Sequence, residues 1–102
     1  MTPQEVEWFK DAKEWAEKEE AEGQCKLGIC YYKGEGVAKD FVQAVKWWRQ
    51  ASERGDVLSQ YYLGGCYANG EGVAKDQIEA YAYWNQGTVE YARKKLDRKS
   101  VV

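Results

Sequence analysis

The sequence predicts an all-α solenoid of about six helices arranged as antiparallel pairs. The main observation is an internal repeat, because residues 21–56 align with residues 57–92 without a gap and 15 of the 36 positions are identical. A period of this length is typical of stacked units, each of which buries its apolar face only against its neighbours. The second observation is that apolar residues recur at helical spacing, while no segment alternates apolar and polar residues as a strand would.

The N-terminal segment, residues 1–20, is predicted to be a capping helix. Thr2 is suited to cap its start, and Glu5 completes a capping box three residues later. Trp8 and Trp15 lie on one face of this helix. We expect them to seal the open end of the array, since a solenoid needs its exposed end covered.

Each repeat is predicted to be a helix pair joined by a turn that contains two glycines. The first pair spans residues 21–33 and 40–54, and the second spans 57–69 and 76–86. In each turn the glycines are free to take positive φ, and an aspartate caps the helix that follows. These residues are Gly34, Gly36 and Asp40 in the first unit and Gly70, Gly72 and Asp76 in the second.

The domain organisation follows from these elements. After the capping helix, repeat 1 occupies residues 21–56 and repeat 2 occupies 57–87 with a shortened second helix, while 88–102 form a C-terminal helix and tail. Glycine also recurs inside the first helix of each pair, at Gly28 and Gly64. Because glycine disfavours a helix by about 1 kcal/mol relative to alanine, its recurrence predicts that a neighbouring helix crosses closely there.

Tryptophans and cysteines that occupy the same position in both repeats are predicted to be core residues. Trp48 and Trp84 form one such pair, and Cys30 and Cys66 form another. The three cysteines are an odd number, so reduced thiols that pack as small apolar side chains are favoured over a disulfide framework. Trp47, which tyrosine replaces in the second repeat, is expected at the rim of the core.

Composition argues against several classes of partner. The 15 basic and 17 acidic residues give a net charge of −2, so nothing electrostatic favours nucleic acid or an anionic membrane. No apolar run approaches the roughly 18 residues of a membrane-spanning helix. The N-terminus lacks the basic and apolar segments of a secretory signal, so the chain as given is expected in the cytoplasm, with export of a parent protein left open. A monomer is favoured.

The residue types also argue against an enzyme. The sequence contains no histidine, the usual general base, nucleophile activator and zinc ligand. Carboxylates such as Glu14 lie four residues from a lysine, as on ordinary solvated helix faces. The Gly34-Glu35-Gly36 turn lacks the sequence context of a phosphate loop, and its duplication favours a structural role. We therefore predict no catalytic, cofactor-binding or metal-binding residues, and a small hydrolase is a distant alternative.

The recurring motif resembles the Sel1-like repeat family of α/α repeats, which are similar in architecture to tetratricopeptide repeats. Its two copies are Leu27, Gly28, Tyr31, Gly34, Gly36, Val37, Asp40, Ala44 and Trp48, and then Leu63, Gly64, Tyr67, Gly70, Gly72, Val73, Asp76, Ala80 and Trp84. The resemblance implies a right-handed superhelix that acts as an adaptor or scaffold in multiprotein complexes. The sequence departs from the family pattern at Trp8 and Trp15, where alanine is usual, and at Glu19, where a helix-ending glycine is expected.

The resemblance further implies that the first helix of each pair lines a concave inner face. With Leu27 and Leu63 as anchors between helices, the predicted partner-binding residues are Glu22, Cys25, Ile29, Tyr32, Lys33, Leu58, Tyr61, Tyr62, Gly65, Ala68 and Asn69. Exposed tyrosine and leucine side chains are suited to recognition. We predict a non-catalytic protein-interaction module that binds a peptide or helix here. One alternative is that the terminal helices cover these side chains or that they are simply scattered over the surface. Another is that the chain is a designed or excised structural fragment without its own ligand.

Overall fold

The computed structural model describes residues 1–85 of the 102, and these residues form five helices and no strand. The helices are α1 (Pro3–Glu17), α2 (Ala21–Lys33), α3 (Phe41–Glu53), α4 (Val57–Asn69) and α5, described over residues 77–85. Helix α2 packs against both α1 and α3, and α3 packs against α4. The predicted all-α solenoid is confirmed. The predicted helix near 89–98 and the tail lie outside the described residues. Between residues 1 and 85, no helix is long and apolar enough to cross a membrane.

Side-chain caps determine where the helices begin. The Thr2 Oγ1 accepts a hydrogen bond from the Glu5 N–H at 3.1 Å, and the Glu5 carboxylate accepts one from the Thr2 N–H at 3.3 Å. This is the predicted capping box, which satisfies two backbone donors reciprocally. The Asp40 carboxylate accepts from the Gln43 N–H at 3.1 Å, and Asp76 caps α5 in the same way. Both repeats therefore start their second helix with the same local interaction.

Left-handed backbone conformations end the helices. Gly34 follows α2 with φ of 74°, and Gly70 follows α4 with φ of 70°. Gly55 has φ of 90°, and Glu19, one period earlier, has φ of 61°. This conformation costs residues other than glycine roughly 1–2 kcal/mol. The Glu19 carboxylate lies 3.5 Å from Nη2 of Arg54. The departure from the family pattern at Glu19 thus keeps the backbone conformation of the glycine that it replaces.

The larger of two hydrophobic clusters is centred on Trp48, which is 0% exposed. Its Nε1 donates a hydrogen bond to the Cys25 carbonyl oxygen at 3.1 Å, and its ring stacks on Tyr62 with centroids 4.7 Å apart. A Cβ atom at Gly28 would lie 2.5 Å from the Trp48 Nε1. Glycine at this position therefore makes room for the Trp48 indole. The close approach predicted from the recurring glycine is made by this side chain of α3.

Trp84 repeats these contacts without being buried. Its Nε1 donates to the Tyr61 carbonyl oxygen at 3.1 Å, yet 42% of Trp84 is exposed. The prediction that Trp84 is a core residue is wrong, since it keeps the backbone hydrogen bond of its counterpart Trp48 but not the burial. Trp47, expected at the rim, is partly buried and packs against the smaller cluster between α1 and α2.

Candidate functional site

A groove of about 300 Å³ lies between α2, α4 and α5, and we call it the central groove. Five of the predicted partner-binding residues line it, one from α2 and four from α4: Tyr32, Tyr61, Tyr62, Gly65 and Asn69. Four residues that were not predicted there complete the lining: Trp48, Cys66, Glu71 and Trp84. Residues from both repeats thus share one recess, which a single unit does not form.

Tyr32 and Glu71 form one side of the central groove. The Tyr32 hydroxyl donates to the Glu71 carboxylate, with distances of 2.8 Å to Oε1 and 2.9 Å to Oε2. The Tyr32 ring also packs 5.4 Å from the Trp48 ring, centroid to centroid. Burial, followed by the hydrogen bond to Glu71 and the charge of that carboxylate, raises the pKa of Tyr32 to about 12. The phenol therefore keeps its proton at neutral pH and acts as a donor.

The accessible aromatic surface of the central groove comes from α4 and α5. Tyr61 is 63% exposed, and its ring meets the Tyr62 ring edge-on with centroids 5.9 Å apart. Trp84 lies beside Tyr61, whose carbonyl oxygen accepts from the Trp84 indole. Asn69 supplies a polar edge, with Nδ2 3.4 Å from Oε1 of Glu71. The groove therefore combines exposed rings with hydrogen-bonding groups, the composition typical of a recognition surface.

A second groove, of about 370 Å³, lies between α1 and α2, and we call it the N-terminal groove. It is lined by Trp8, Asp11, Ala12, Trp15, Lys26, Ile29, Cys30 and Glu35. Ile29 is the one predicted partner-binding residue among them. Trp8 and Trp15, expected to seal this end, instead border an open recess, and Trp8 is 49% exposed.

The 36-residue repeat relates the two grooves. The backbone of Glu5 lies against Gly36 as that of Phe41 lies against Gly72, so α1 is the counterpart of α3. Five residues of the N-terminal groove have counterparts 36 positions later that line the central groove: Ala12 and Trp48, Lys26 and Tyr62, Ile29 and Gly65, Cys30 and Cys66, and Glu35 and Glu71. The same recess therefore recurs in consecutive units with different side chains.

The remaining predicted residues lie outside both grooves. Cys25 is 3% exposed, and its prediction as a surface residue is wrong because the start of α4 covers it, where Ser59 contacts its thiol. Glu22 is exposed and lies 3.9 Å from Nζ of Lys26. Three others line neither groove: Lys33 and Leu58, which are exposed, and Ala68, which is half-buried.

The three cysteines are free and buried. Burial raises the pKa of the Cys25 thiol to about 11 and that of the Cys66 thiol to about 12, and it also raises the pKa of Cys30. Thiols with such pKa values are protonated at neutral pH and are weak nucleophiles. No group of three or more metal-ligating side chains is brought together in residues 1–85. These cysteines therefore act as packing residues.

The free energy of unfolding is expected to fall as pH rises from about 9 toward about 12. An unfolded thiol loses its proton near 9.0, whereas folded Cys25 and Cys66 hold theirs to about 11 and about 12. Below pH 9.0 both states are protonated and the stabilisation is complete; above it, unfolding releases protons, so alkali favours the unfolded state.

Urea unfolding, followed by circular dichroism across this pH range, measures that slope. Cys66→Ala should make the slope shallower by about 1.4 kcal/mol per pH unit, the value for one proton. Leu58→Ala, which removes no titratable group, should keep the wild-type slope. An unchanged slope in Cys66→Ala would contradict the assignment of this thiol.

Repeated helix pairs with aromatic grooves between units define an α/α solenoid of the interaction-repeat class. The chain belongs to the Sel1 repeat family, whose family model matches residues 21–56 and 57–87. Proteins of this family are non-enzymatic repeat scaffolds that generally mediate protein–protein interaction.

Two solved bacterial structures are similar to this chain. One is a protective antigen present in uropathogenic Escherichia coli strains that displays an SLR fold; it is 36% identical, with a TM-score of 0.76 over 80% of this chain and 18% of that one. The other is a Sel1 repeat protein from Oxalobacter formigenes, 30% identical, with a TM-score of 0.76 over 83% of this chain and 63% of that one. The chain thus spans less than two thirds of either relative. Comparison with curated proteins gave no match.

Proposed function

We propose that this protein is a non-catalytic interaction module that binds an extended peptide segment of a protein partner in the central groove. The supporting observation is that Tyr32 of the first repeat and Tyr61 and Asn69 of the second line one recess of about 300 Å³. Residues of both repeats line this recess, as expected for the binding surface of a repeat protein.

The chemistry of the central groove suits an extended peptide. Apolar side chains of the peptide would pack on Tyr61 and Trp84, which are exposed. Its backbone N–H groups would be met by Glu71, because a carboxylate has about four acceptor positions. The Tyr32 hydroxyl supplies a single donor to that carboxylate. Glu71 is therefore held in place by Tyr32 and can still accept hydrogen bonds from a partner.

Tyr61→Ala is expected to weaken peptide binding at least about fivefold, because truncating an aromatic hot spot costs more than about 1 kcal/mol. Peptides captured from an array by the wild-type chain are titrated by fluorescence polarisation against the wild type and the variant. Tyr81→Ala is the matched control, since Tyr81 is 68% exposed and does not line the central groove. Its dissociation constants should equal those of the wild type.

The outcomes separate the proposal from its alternative. Equal losses in Tyr61→Ala and Tyr81→Ala would place the binding surface elsewhere. Failure of the wild-type chain to capture any peptide would favour the structural fragment that lacks a ligand of its own.

A further inference from the structure

The N-terminal groove is a recess between two indole rings. Trp8 and Trp15 are seven residues, or about 10 Å, apart along α1, and both line the groove. Ala12 lies between them where the next unit has Trp48, and Lys26 takes the place of Tyr62. In that next unit the Trp48 and Tyr62 rings stack on each other. Without that pair of rings, the space above Ala12 stays open.

Two carboxylates face this recess. Asp11 and Glu35 line it, and neither belongs to the two ion pairs found within residues 1–85. Glu35 is the counterpart of Glu71, which accepts a hydrogen bond from the Tyr32 hydroxyl in the central groove. The recess thus presents two carboxylate acceptors, and the central groove shows that a glutamate at this position of the repeat accepts a hydrogen bond from a side-chain donor.

A lysine of the chain already lies on one of the rings. Nζ of Lys26 lies 4.7 Å from the centroid of the Trp15 ring and 3.9 Å from a carboxylate oxygen of Glu22. This contact shows that a cation is accommodated on the indole face, as expected from the negative potential of the ring. It also means that a cationic ligand would approach a like charge.

The exposed indole of Trp8 makes the recess accessible to a side chain. The counterpart of Trp8 in the next unit is Ala44, which is 0% exposed, whereas Trp8 is 49% exposed. Position 8 therefore places an aromatic face at the surface where the next unit has a buried methyl group. A planar side chain of a partner peptide can stack on that face.

We infer that the N-terminal groove binds an arginine side chain of a partner peptide and is a recognition site separate from the central groove. A guanidinium is planar, stacks on aromatic faces and directs several N–H donors at carboxylates. Trp8, which is 49% exposed, supplies the open face, Trp15 borders the site with Lys26 on its ring, and Asp11 and Glu35 supply the acceptors.

The full chain, labelled with nitrogen-15, is titrated with the capped peptide Gly-Ser-Arg-Ser-Gly, and the tryptophan indole N–H signals are followed by NMR. Saturable shifts are expected at Trp8 and Trp15, while the Trp84 signal, which reports on the central groove, stays in place. The peptide with citrulline in place of arginine keeps the shape and loses the charge. It should bind several-fold more weakly.

Removing a negative or a positive charge from the groove is expected to change the affinity for the arginine peptide in opposite directions. Asp11→Asn and Glu35→Gln should each weaken binding of the arginine peptide about 1.5- to fivefold, the range for a solvated ion pair. Lys26→Gln should strengthen it by a similar factor, because a like charge is removed. Glu14→Gln is the matched control, since Glu14 is on α1 and does not line the groove. It should bind like the wild type.

Three results would overturn the inference. The first is arginine-peptide binding that shifts Trp84 and leaves Trp8 and Trp15 unchanged. The second is equal affinity for the arginine and citrulline peptides. The third is tighter binding of a peptide with tryptophan in place of arginine, with no response to Asp11→Asn or Lys26→Gln, which would identify an apolar pocket. None of these results would contradict peptide binding in the central groove, and the first would place the arginine peptide there.

Discussion

Trp48→Ala is expected to lower the free energy of unfolding by about 3–5 kcal/mol, the range for truncating a fully buried aromatic side chain. Trp48 is 0% exposed, stacks on Tyr62 and donates from its indole to the Cys25 carbonyl oxygen. The truncation leaves a cavity between α2 and α4. It also removes the side-chain hydrogen bond to that carbonyl oxygen, which keeps only its backbone hydrogen bond within α2.

Trp84→Ala is the matched control for this prediction. Trp84 occupies the same position of the second repeat and makes the equivalent hydrogen bond to the Tyr61 carbonyl oxygen, but it is 42% exposed. Its truncation removes less buried surface, so we expect less than half the loss. Urea unfolding followed by far-ultraviolet circular dichroism measures both variants without relying on tryptophan fluorescence. Equal losses would contradict the role of Trp48 as the link between the repeats.

The contrast between these tryptophans shows what the repeat can predict. The period identifies equivalent positions and the helix boundaries, because capping residues and turn glycines act locally. Burial is not local, since it depends on whether another unit packs on the residue. Trp48 is covered by Tyr62 of the following repeat and is 0% exposed, whereas 42% of Trp84 is exposed. Identical residues at equivalent positions therefore differ in exposure.

The same reasoning explains the misplaced binding residue. Cys25 and Tyr61 occupy equivalent positions, and both were predicted to face a partner. Tyr61 is 63% exposed, whereas Cys25 is 3% exposed because α4 packs over it. Assignment by repeat position predicts the same environment for both residues. In the structure the two environments differ, because α4 packs over Cys25 while Tyr61 is exposed.

Glu71 was missed for a different reason. Its hydrogen bond joins it to Tyr32, 39 residues earlier in the chain, and neither spacing nor periodicity reveals a contact across two units. The available signal was the glutamate that recurs between two glycines, Glu35 and Glu71. The positive φ angles of this turn require its glycines but do not require a glutamate. The recurrence of the glutamate therefore indicated a role for its side chain.

Leu63→Ala is expected to lower the free energy of unfolding by about 2–5 kcal/mol, as large-to-small changes in a well-packed core do. Leu63 is 0% exposed and packs with Trp48, Val45 and Cys66 in the larger hydrophobic cluster. This cluster contains residues of α2, α3 and α4, so the cavity would lie at the contact between the two repeats. The loss should therefore appear as reduced stability of the whole array.

Leu58→Ala is the matched control, because Leu58 is on the same helix, has the same chemistry and is 50% exposed. Its truncation should change the free energy of unfolding by no more than about 0.5 kcal/mol, as for most surface substitutions. Both variants are unfolded in urea and compared at equal m-values. A loss below about 0.5 kcal/mol in Leu63→Ala would contradict its place in the core. A comparable loss in Leu58→Ala would instead show that α4 is buried on both faces. The exposure of Tyr61 on the same helix argues against that outcome.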